Sequence, residues 1–255
     1  MRITVLGKSP SWQDVDGACS GYLVEDAEVA MLIDCGNGVF SKLRRFRDYL
    51  EIDAVVISHL HADHFLDLVP YSYALTLGPR QQAAASARPR LIAPAGARET
   101  FRRVVGAWGD QTLIEDAFEI EEYSPDSRLE VGPIRLRFQQ VPHFTESFAI
   151  DVGSANDAGR FTFGADCGPT EQLVEIARDT DLLLVEATLS EPEEGEVRGH
   201  MTPAEAGAHG RRAAARRVVL THMSDELDAD RAREEASKAF GAPVELAREG
   251  AVYEV

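Results

Sequence analysis

Between two apolar segments the chain reads Ser58 His59 Leu60 His61 Ala62 Asp63 His64, directly after the run Ala54 to Ile57. Four side chains able to ligate a metal fall within six residues at the end of a strand-like, core-type segment. Polar groups that dense beside an interior are costly to desolvate unless they bind something. Residues two apart in an extended chain point to the same side, so His59 and His61 can grip one cation. Asp63 and His64, just past the bend, can face a second. A solvated polar loop is the plain alternative, and the remaining histidines argue against it. Of seven in the chain, His143 follows the strand-like run Gln139 to Val141, His200 precedes Thr202, and His222 follows Val218 to Thr221. Each sits at a strand end or before a helix. Asp166 closes the run Arg160 to Ala165 and is placed to bridge two cations. His209, between Ala208 and Gly210, reads as an ordinary helix residue.

The elements that must position these groups follow from the apolar spacing. Ile3 to Leu6, Gly21 to Val24, Ala30 to Asp34, Ala54 to Ser58 and Arg90 to Ala93 read as strands. Phe40 to Leu50, a stretch beginning near Phe65, and Ala97 to Val105 read as helices. From Phe118 to Val152 the pattern turns to β, and Ile134, Leu136 and Phe138 alternate with Arg135 and Arg137, one face dry and one wet. Arg160 to Ala165, Asp181 to Val185, Val218 to Thr221 and Ala251 to Val255 continue as strands. Helices are expected at Glu171 to Arg178 and Asp228 to Phe240, and after the capping box Thr202 Pro203 Ala204 Glu205. Gln81 to Arg90 reads as a loop or frayed helix. Two βα-rich ends around an antiparallel middle imply an α/β, αββα sandwich of two mixed sheets flanked by helices, one domain over residues 1–255.

Composition narrows the function. With 255 residues, 44% hydrophobic and 27% charged, the chain can bury a large core. The formal charge is −17, from 26 basic and 43 acidic residues, which disfavours stable binding of nucleic acid. Cys19, Cys35 and Cys167 form no C-x-x-C pair, so a reducing cytoplasm is expected. No signal-peptide run or membrane span is evident, and no membrane partner is expected.

Taken in order, the H-x-H-x-D-H stretch, His143, Asp166 and His222 resemble the ligand motifs of the metallo-β-lactamase superfamily, as do Leu6 Gly7 and the turn Leu32 to Gly38. The resemblance covers essentially the whole chain. It implies that His59, His61 and His143 hold one metal, Asp63, His64 and His222 the other, and that Asp166 bridges. Imidazole and carboxylate donors without thiolate suit two Zn²⁺ ions, with Mn²⁺ or Fe²⁺ fitting similar sites. Val185 Glu186 Ala187 Thr188 and Gly199 His200 Met201 Thr202 resemble the ribonuclease Z-like branch, where such a Glu and His pair near the leaving group. His143 to Phe148 is most similar to the armless members, which include actinobacterial cyclic-nucleotide phosphodiesterases. True tRNA-processing members insert a long arm where this chain has only 22 residues between His143 and Asp166. The family also implies a homodimer.

The expected activity is hydrolysis of a small phosphodiester, 3′,5′-cyclic nucleotides first. Two cations roughly 3.5 to 4 Å apart would supply the hydroxide and bind a phosphoryl oxygen. Asp63 would also orient that hydroxide, and His200, held by Glu186, would protonate the departing oxygen. The rivals are tRNA 3′ processing and hydrolysis of an ester, thioester, lactone or β-lactam on the same metals, which has no need of the Glu186 and His200 pair. A redox di-iron site would want a carboxylate where His61 stands. Gly36 Asn37 Gly38 with Asp53 mimics a dinucleotide fingerprint but lacks its third glycine. Cys167 reads as a packed thiol, with thiolate ligation the alternative. Asp34 and Asn37 suit either a turn or support of the ligand histidines.

Overall fold

Two seven-stranded sheets face each other across a shared apolar layer, and most of their strands are buried along nearly their whole length. The computed structural model describes residues 1–83, 87–155, 159–195 and 197–255. The first sheet is formed by β1 (Arg2–Gly7), β2 (Gly21–Asp26), β3 (Val29–Ile33), β4 (Ala54–Val56), β5 (Arg90–Pro94) and β6 (Glu119–Tyr123). The second runs through β7 (Arg128–Val131), β8 (Ile134–Val141), β9 (Ser147–Ser154), β10 (Arg160–Phe163), β11 (Leu182–Glu186), β12 (Val218–Thr221) and β13 (Glu245–Leu246). β14 (Val252–Glu254) returns to pair with β1.

Both sheets change from antiparallel to parallel pairing along their width. In the first, β14, β1, β2 and β3 are antiparallel and β3 to β6 parallel. In the second, β7 to β10 are antiparallel and β10 to β13 parallel. Ile3, Tyr22, Met31 and Val56 of one sheet and Leu136, Ile150, Phe161 and Leu184 of the other fill the layer between. The outer faces are covered by helices, as parallel strands require. α1 (Val39–Phe46), α2 (Ala62–Phe65), α3 (Leu68–Leu77), α4 (Pro79–Ala83), α5 (Ala97–Gly106) and α6 (Leu113–Ala117) lie on the first sheet's side. α7 (Glu171–Ile176), α8 (Pro203–Arg212) and α9 (Ala229–Phe240) lie on the second's. The expected αββα sandwich of two mixed sheets is therefore the observed fold.

Several boundaries differ from the sequence expectation. The helix expected to run to Leu50 ends at Phe46, because Arg47 is extended and Asp48 accepts a hydrogen bond from Leu50 N to start a separate short turn. The stretch near Phe65 is two helices, and the first of them already contains Asp63 and His64, so the metal motif bends into a helical turn. The strand expected through Ser58 stops at Val56, and the helix expected to Arg178 stops at Ile176. Within Gln81 to Arg90, residues 81–83 end α4, Arg90 opens β5, and residues 84–86 lie outside the described residues. No helix among the described residues is long and apolar enough to cross a membrane.

The capping box is present as expected: Thr202 Oγ1 accepts from Glu205 N at 3.3 Å, and Glu205 Oε2 accepts from Thr202 N at 3.0 Å. Replacing Thr202 by Ala removes one half of it and should lower stability by about 0.5–2 kcal/mol, read from the denaturation midpoint at unchanged m-value.

Candidate metal centre

The residues singled out by type and spacing converge at one end of the sandwich, beyond the carboxyl ends of parallel strands, where open α/β sheets leave a crevice. His59 follows β4 and bridges to Ser147 at the start of β9, so the two sheets meet beside it. His61 is extended and precedes α2, which carries Asp63 and His64. His143 follows β8, Asp166 follows β10, Glu186 ends β11 and His222 follows β12. Asp34, Ala165 and His222 have left-handed φ values of 57°, 52° and 52°. Each stands at or just past the end of β3, β10 or β12, so backbone strain of order 1–3 kcal/mol per residue is concentrated at the crevice.

Among the described residues four groups could hold a metal ion; two include His200 (with His143 and Asp166, and with Glu186 and His222), and the other two gather the residues singled out as ligands. The donor atoms of His59, His61 and His143 lie within 4.8 Å of one another, and so do those of Asp63, His64, Asp166 and His222. His61 Nδ1 and His143 Nε2 face each other at 3.0 Å. Asp166 Oδ2 is 3.3 Å from His64 Nε2, 3.3 Å from His222 Nε2 and 3.8 Å from His59 Nε2, so it spans both groups. Asp63 Oδ2 is 3.3 Å from both His64 Nε2 and His222 Nε2.

The nitrogen facing away from the cluster is held in four of the five rings. His59 Nδ1 contacts Ser58 Oγ at 3.1 Å, His64 Nδ1 contacts Asp34 Oδ2 at 2.6 Å, and His143 Nδ1 contacts Gly199 O at 2.8 Å. His222 Nδ1 contacts Thr188 Oγ1 at 2.8 Å. Such outer bonds fix tautomer and ring orientation and leave Nε2 as the ligand atom. The Nε2 atoms of His59 and His64 are buried without a hydrogen-bond partner among the described residues. A divalent cation is a partner that suits such atoms, because imidazole and carboxylate are its usual donors.

Charge balance points the same way. Burial pushes the pKa values of His59, His61 and His143 down, which favours the neutral, ligating imidazole. For His64 burial also opposes charge, but Asp166 and Asp34 outweigh it and raise the pKa well above the usual value. Burial alone would raise the Asp63 and Asp166 carboxyls, yet the adjoining imidazoles, His222 and His64 above all, hold both below the carboxylate range. Two nearly buried carboxylates thus demand compensating positive charge, supplied by protonated imidazole or by a metal.

Beside the cluster, Glu186 Oε1 is 2.9 Å from His200 Nδ1 and also accepts from Cys167 N at 3.0 Å. Its Oε2 accepts from Thr188 Oγ1 at 2.7 Å and from Met201 N at 3.2 Å. Burial would depress the His200 pKa, but the Glu186 carboxylate overrides it and lifts the value to about 9. The His200 ring lies 5.0 Å from His143 and 5.7 Å from His222, centroid to centroid.

Other sequence readings resolve into supporting roles. Asp34 accepts from Ser20 Oγ, Ser58 N and Ser58 Oγ as well as pairing with His64, so it is both a turn residue and the support of a ligand histidine. At Gly36 a Cβ would fall 1.8 Å from the carbonyl oxygen of Asp63, so the glycine lets this turn clamp α2 rather than cradle a dinucleotide. Asp53 accepts from Ala30 N. Cys167 is a buried thiol whose backbone N–H, not its sulfur, engages the site, and burial raises its pKa. His209 packs, contacting Glu205 O through Nδ1 and accepting from Thr170 N at Nε2. Sequence reasoning missed Thr188 and the Gly199 carbonyl as orienting groups. It also missed Phe144, which is 58% exposed and 5.3 Å from the His143 ring and packs on Gly199.

Residues 30–223 match the family described as the beta-lactamase superfamily domain. The chain belongs to that superfamily. It is 28% identical over 254 residues to the probable metallo-hydrolase YhfI of Bacillus subtilis, covering all of both chains. The crystal structure of YhfI, a metallo-β-lactamase fold protein, superposes with a TM-score of 0.87 at 26% identity, covering 100% of this chain and 98% of that one. A ribonuclease Z of Haloarcula marismortui is 27% identical over 301 residues, covering 98% of this chain and 95% of its own. A diphosphatase of the PhnP family shares the fold, with a TM-score of 0.74 at 22% identity over 100% of this chain and 98% of that one. Superfamily membership makes this chain a metallo-hydrolase, and its fold implies divalent metal binding.

Asp34 is the outer partner of His64, and weakening such a partner typically costs 10- to 100-fold in metal affinity. Asp34→Asn should therefore lower affinity for divalent metal by roughly that factor, measured by chelator competition, with circular dichroism showing the fold retained.

Proposed function

We propose that this hydrolase is a dinuclear phosphodiesterase acting on small phosphodiesters, 3′,5′-cyclic nucleotides first, in the cytoplasm. His59, His61 and His143 hold one cation, Asp63, His64 and His222 the other, and Asp166 lies between; Zn²⁺ suits the donor set best. The observation that carries the reading is the Glu186 and His200 pair set against the cluster. Divalent cations in such a site supply an activated water and neutralise charge on a phosphoryl oxygen. Asp63, its Oδ2 between two ligand imidazoles, orients the attacking water. His200 has its Nδ1 committed to Glu186, so Nε2–H is the proton it delivers to the departing oxygen. An alkoxide leaving group is strongly basic and needs that proton, whereas hydrolysis of a thioester or lactone on the same metals does not require the pair.

Two observations favour a small substrate over a tRNA precursor. Of the 22 residues between His143 and Asp166, β9 and β10 take most, which leaves no length for an RNA-gripping arm. The net charge of −17 opposes a polyanion at long range. The relatives named as a ribonuclease and a diphosphatase support phosphoester chemistry as the class.

Metal content tests the site: zinc-reconstituted protein should carry close to two equivalents by elemental analysis, and His222→Ala should lose mainly one of them. A single equivalent in the unsubstituted protein would overturn the dinuclear assignment. Leaving-group dependence tests the reaction. A positioned acid is worth roughly 10²–10⁴ in rate, so His200→Ala should lose about that much turnover on cyclic AMP and far less on bis-p-nitrophenyl phosphate, with metal content unchanged. Equal losses on both substrates would return the ester-hydrolase reading.

A further inference from the structure

We propose that Phe144 is a stacking platform for an aromatic ring carried on the leaving oxygen, as on a nucleoside. The inference rests on the phosphodiesterase reading, in which His200 protonates that oxygen. Exposed apolar side chains are common on protein surfaces, and exposure alone assigns nothing. Phe144 is set apart by its neighbours. It directly follows His143, is 58% exposed, and its ring centroid lies 5.3 Å from that of His143 and 6.0 Å from that of His200. A ring nitrogen of His200 in turn lies within 4.8 Å of donor atoms of His143 and Asp166. The exposed phenyl thus adjoins both a clustered histidine and the proton donor.

The ring is held in place before any ligand arrives. A Cβ at Gly199 would fall 2.3 Å from Phe144 Cε2, 2.6 Å from Cζ and 2.7 Å from Cδ2, so glycine there lets the ring lie against the backbone. That backbone is itself fixed: Gly199 O contacts His143 Nδ1 at 2.8 Å, and Glu193 Oε2 accepts from Gly199 N at 2.7 Å and from His200 N at 3.2 Å. The loop that carries Phe144 is tied on either side, by Gly168 N donating to Pro142 O at 2.9 Å and by Ser147 Oγ donating to Asp166 O at 2.8 Å. Preorganisation of this kind lowers the entropic cost of binding.

Position and charge together decide the ligand. A leaving oxygen within hydrogen-bond reach of His200, roughly 3 Å, brings whatever it carries beside an exposed phenyl. An aromatic substituent covers that apolar surface and stacks on it, whereas a small alkyl or sugar alcohol gains little. The Glu193 carboxylate, bonded to the same backbone, disfavours a substituent bearing a further phosphate. An uncharged ring meets no such penalty.

Calorimetric titration of the zinc-loaded protein with 5′-AMP and with ribose 5-phosphate, which lacks the base, tests the contact without turnover. Base–aromatic stacking supports AMP binding roughly 5- to 150-fold tighter than ribose 5-phosphate. Phe144→Ala should weaken AMP by about that factor, leave ribose 5-phosphate within about twofold and keep the zinc content. Phe144→Tyr should retain AMP binding, and Phe144→Leu, apolar but without a ring, should not. In Phe144→Ala the KM for cyclic AMP should rise in step with the Kd for AMP while kcat stays within about twofold, since the contact is uniform binding. Unchanged AMP binding, equal weakening of both ligands, or zinc loss in Phe144→Ala would overturn the platform, the last two by marking a structural role beside His143. If the enzyme hydrolyses cyclic AMP while AMP binding is indifferent to Phe144, the platform fails and the phosphodiesterase reading survives. If AMP binding depends on Phe144 but no phosphodiester is turned over, the ring contact stands and that reading fails.

Discussion

An imidazole can ligate a cation only with a lone pair aimed at it, and a ring has two nitrogens that compete for that role. The structure is organised around settling this choice. Asp34, Ser58, Gly199 and Thr188 each occupy the outward nitrogen of one ring. Those four partners come from the ends of β3 and β4 and from the loops that follow β11, so the two sheets must be in register with each other before the inward atoms can converge. The apolar layer between the sheets supplies that register. Without it the same histidines would be solvated and free to rotate.

The second constraint is electrostatic. Asp63 and Asp166 are nearly buried and Asp34 fully so, and burial of carboxylates without compensating charge is unfavourable by several kcal/mol per ion. Asp166 and Asp34 outweigh burial and raise the His64 pKa, so these carboxylates favour positive charge beside them. A divalent cation held by the same donors would supply charge of that sign.

The residues that cluster were legible in the sequence because they are dense and lie at the ends of apolar runs: His59, His61, Asp63 and His64 fall in one stretch, and His143, Asp166 and His222 each follow a strand. The sandwich was legible because β8 alternates and the parallel strands β4, β11 and β12 are mostly apolar runs. The orienting partners were harder to read. Asp34 is 30 residues from His64, Thr188 is 34 from His222, and Gly199 is 56 from His143. Gly199 acts through a carbonyl, which every residue possesses, so its type carries no signal. Local dihedral choices were likewise hidden: nothing in the composition of Phe40 to Leu50 marks Arg47 as the extended residue that ends α1. The helical turn through Asp63 was missed because four residues are too few to show a period.

Glu186 ties the two halves of the site together. Its Oε1 holds His200, and its Oε2 holds Thr188, whose hydroxyl contacts His222 Nδ1. A carboxylate with both oxygens so engaged cannot reposition one histidine without disturbing the other. Removing it would therefore loosen the rings of both His222 and His200. Under the proposed phosphodiesterase reading, a Glu186 variant would combine weaker metal retention with weaker leaving-group protonation, and a His200 variant would show only the second. The sequence motif Glu186 Ala187 Thr188 places the two partners two residues apart. Beyond the end of β11 that spacing lets the side chain of Thr188 fold back 2.7 Å from the carboxylate while still reaching His222. One short segment thus couples the geometry of His222 to that of His200, and the coupling follows from the spacing rather than from any flexible element.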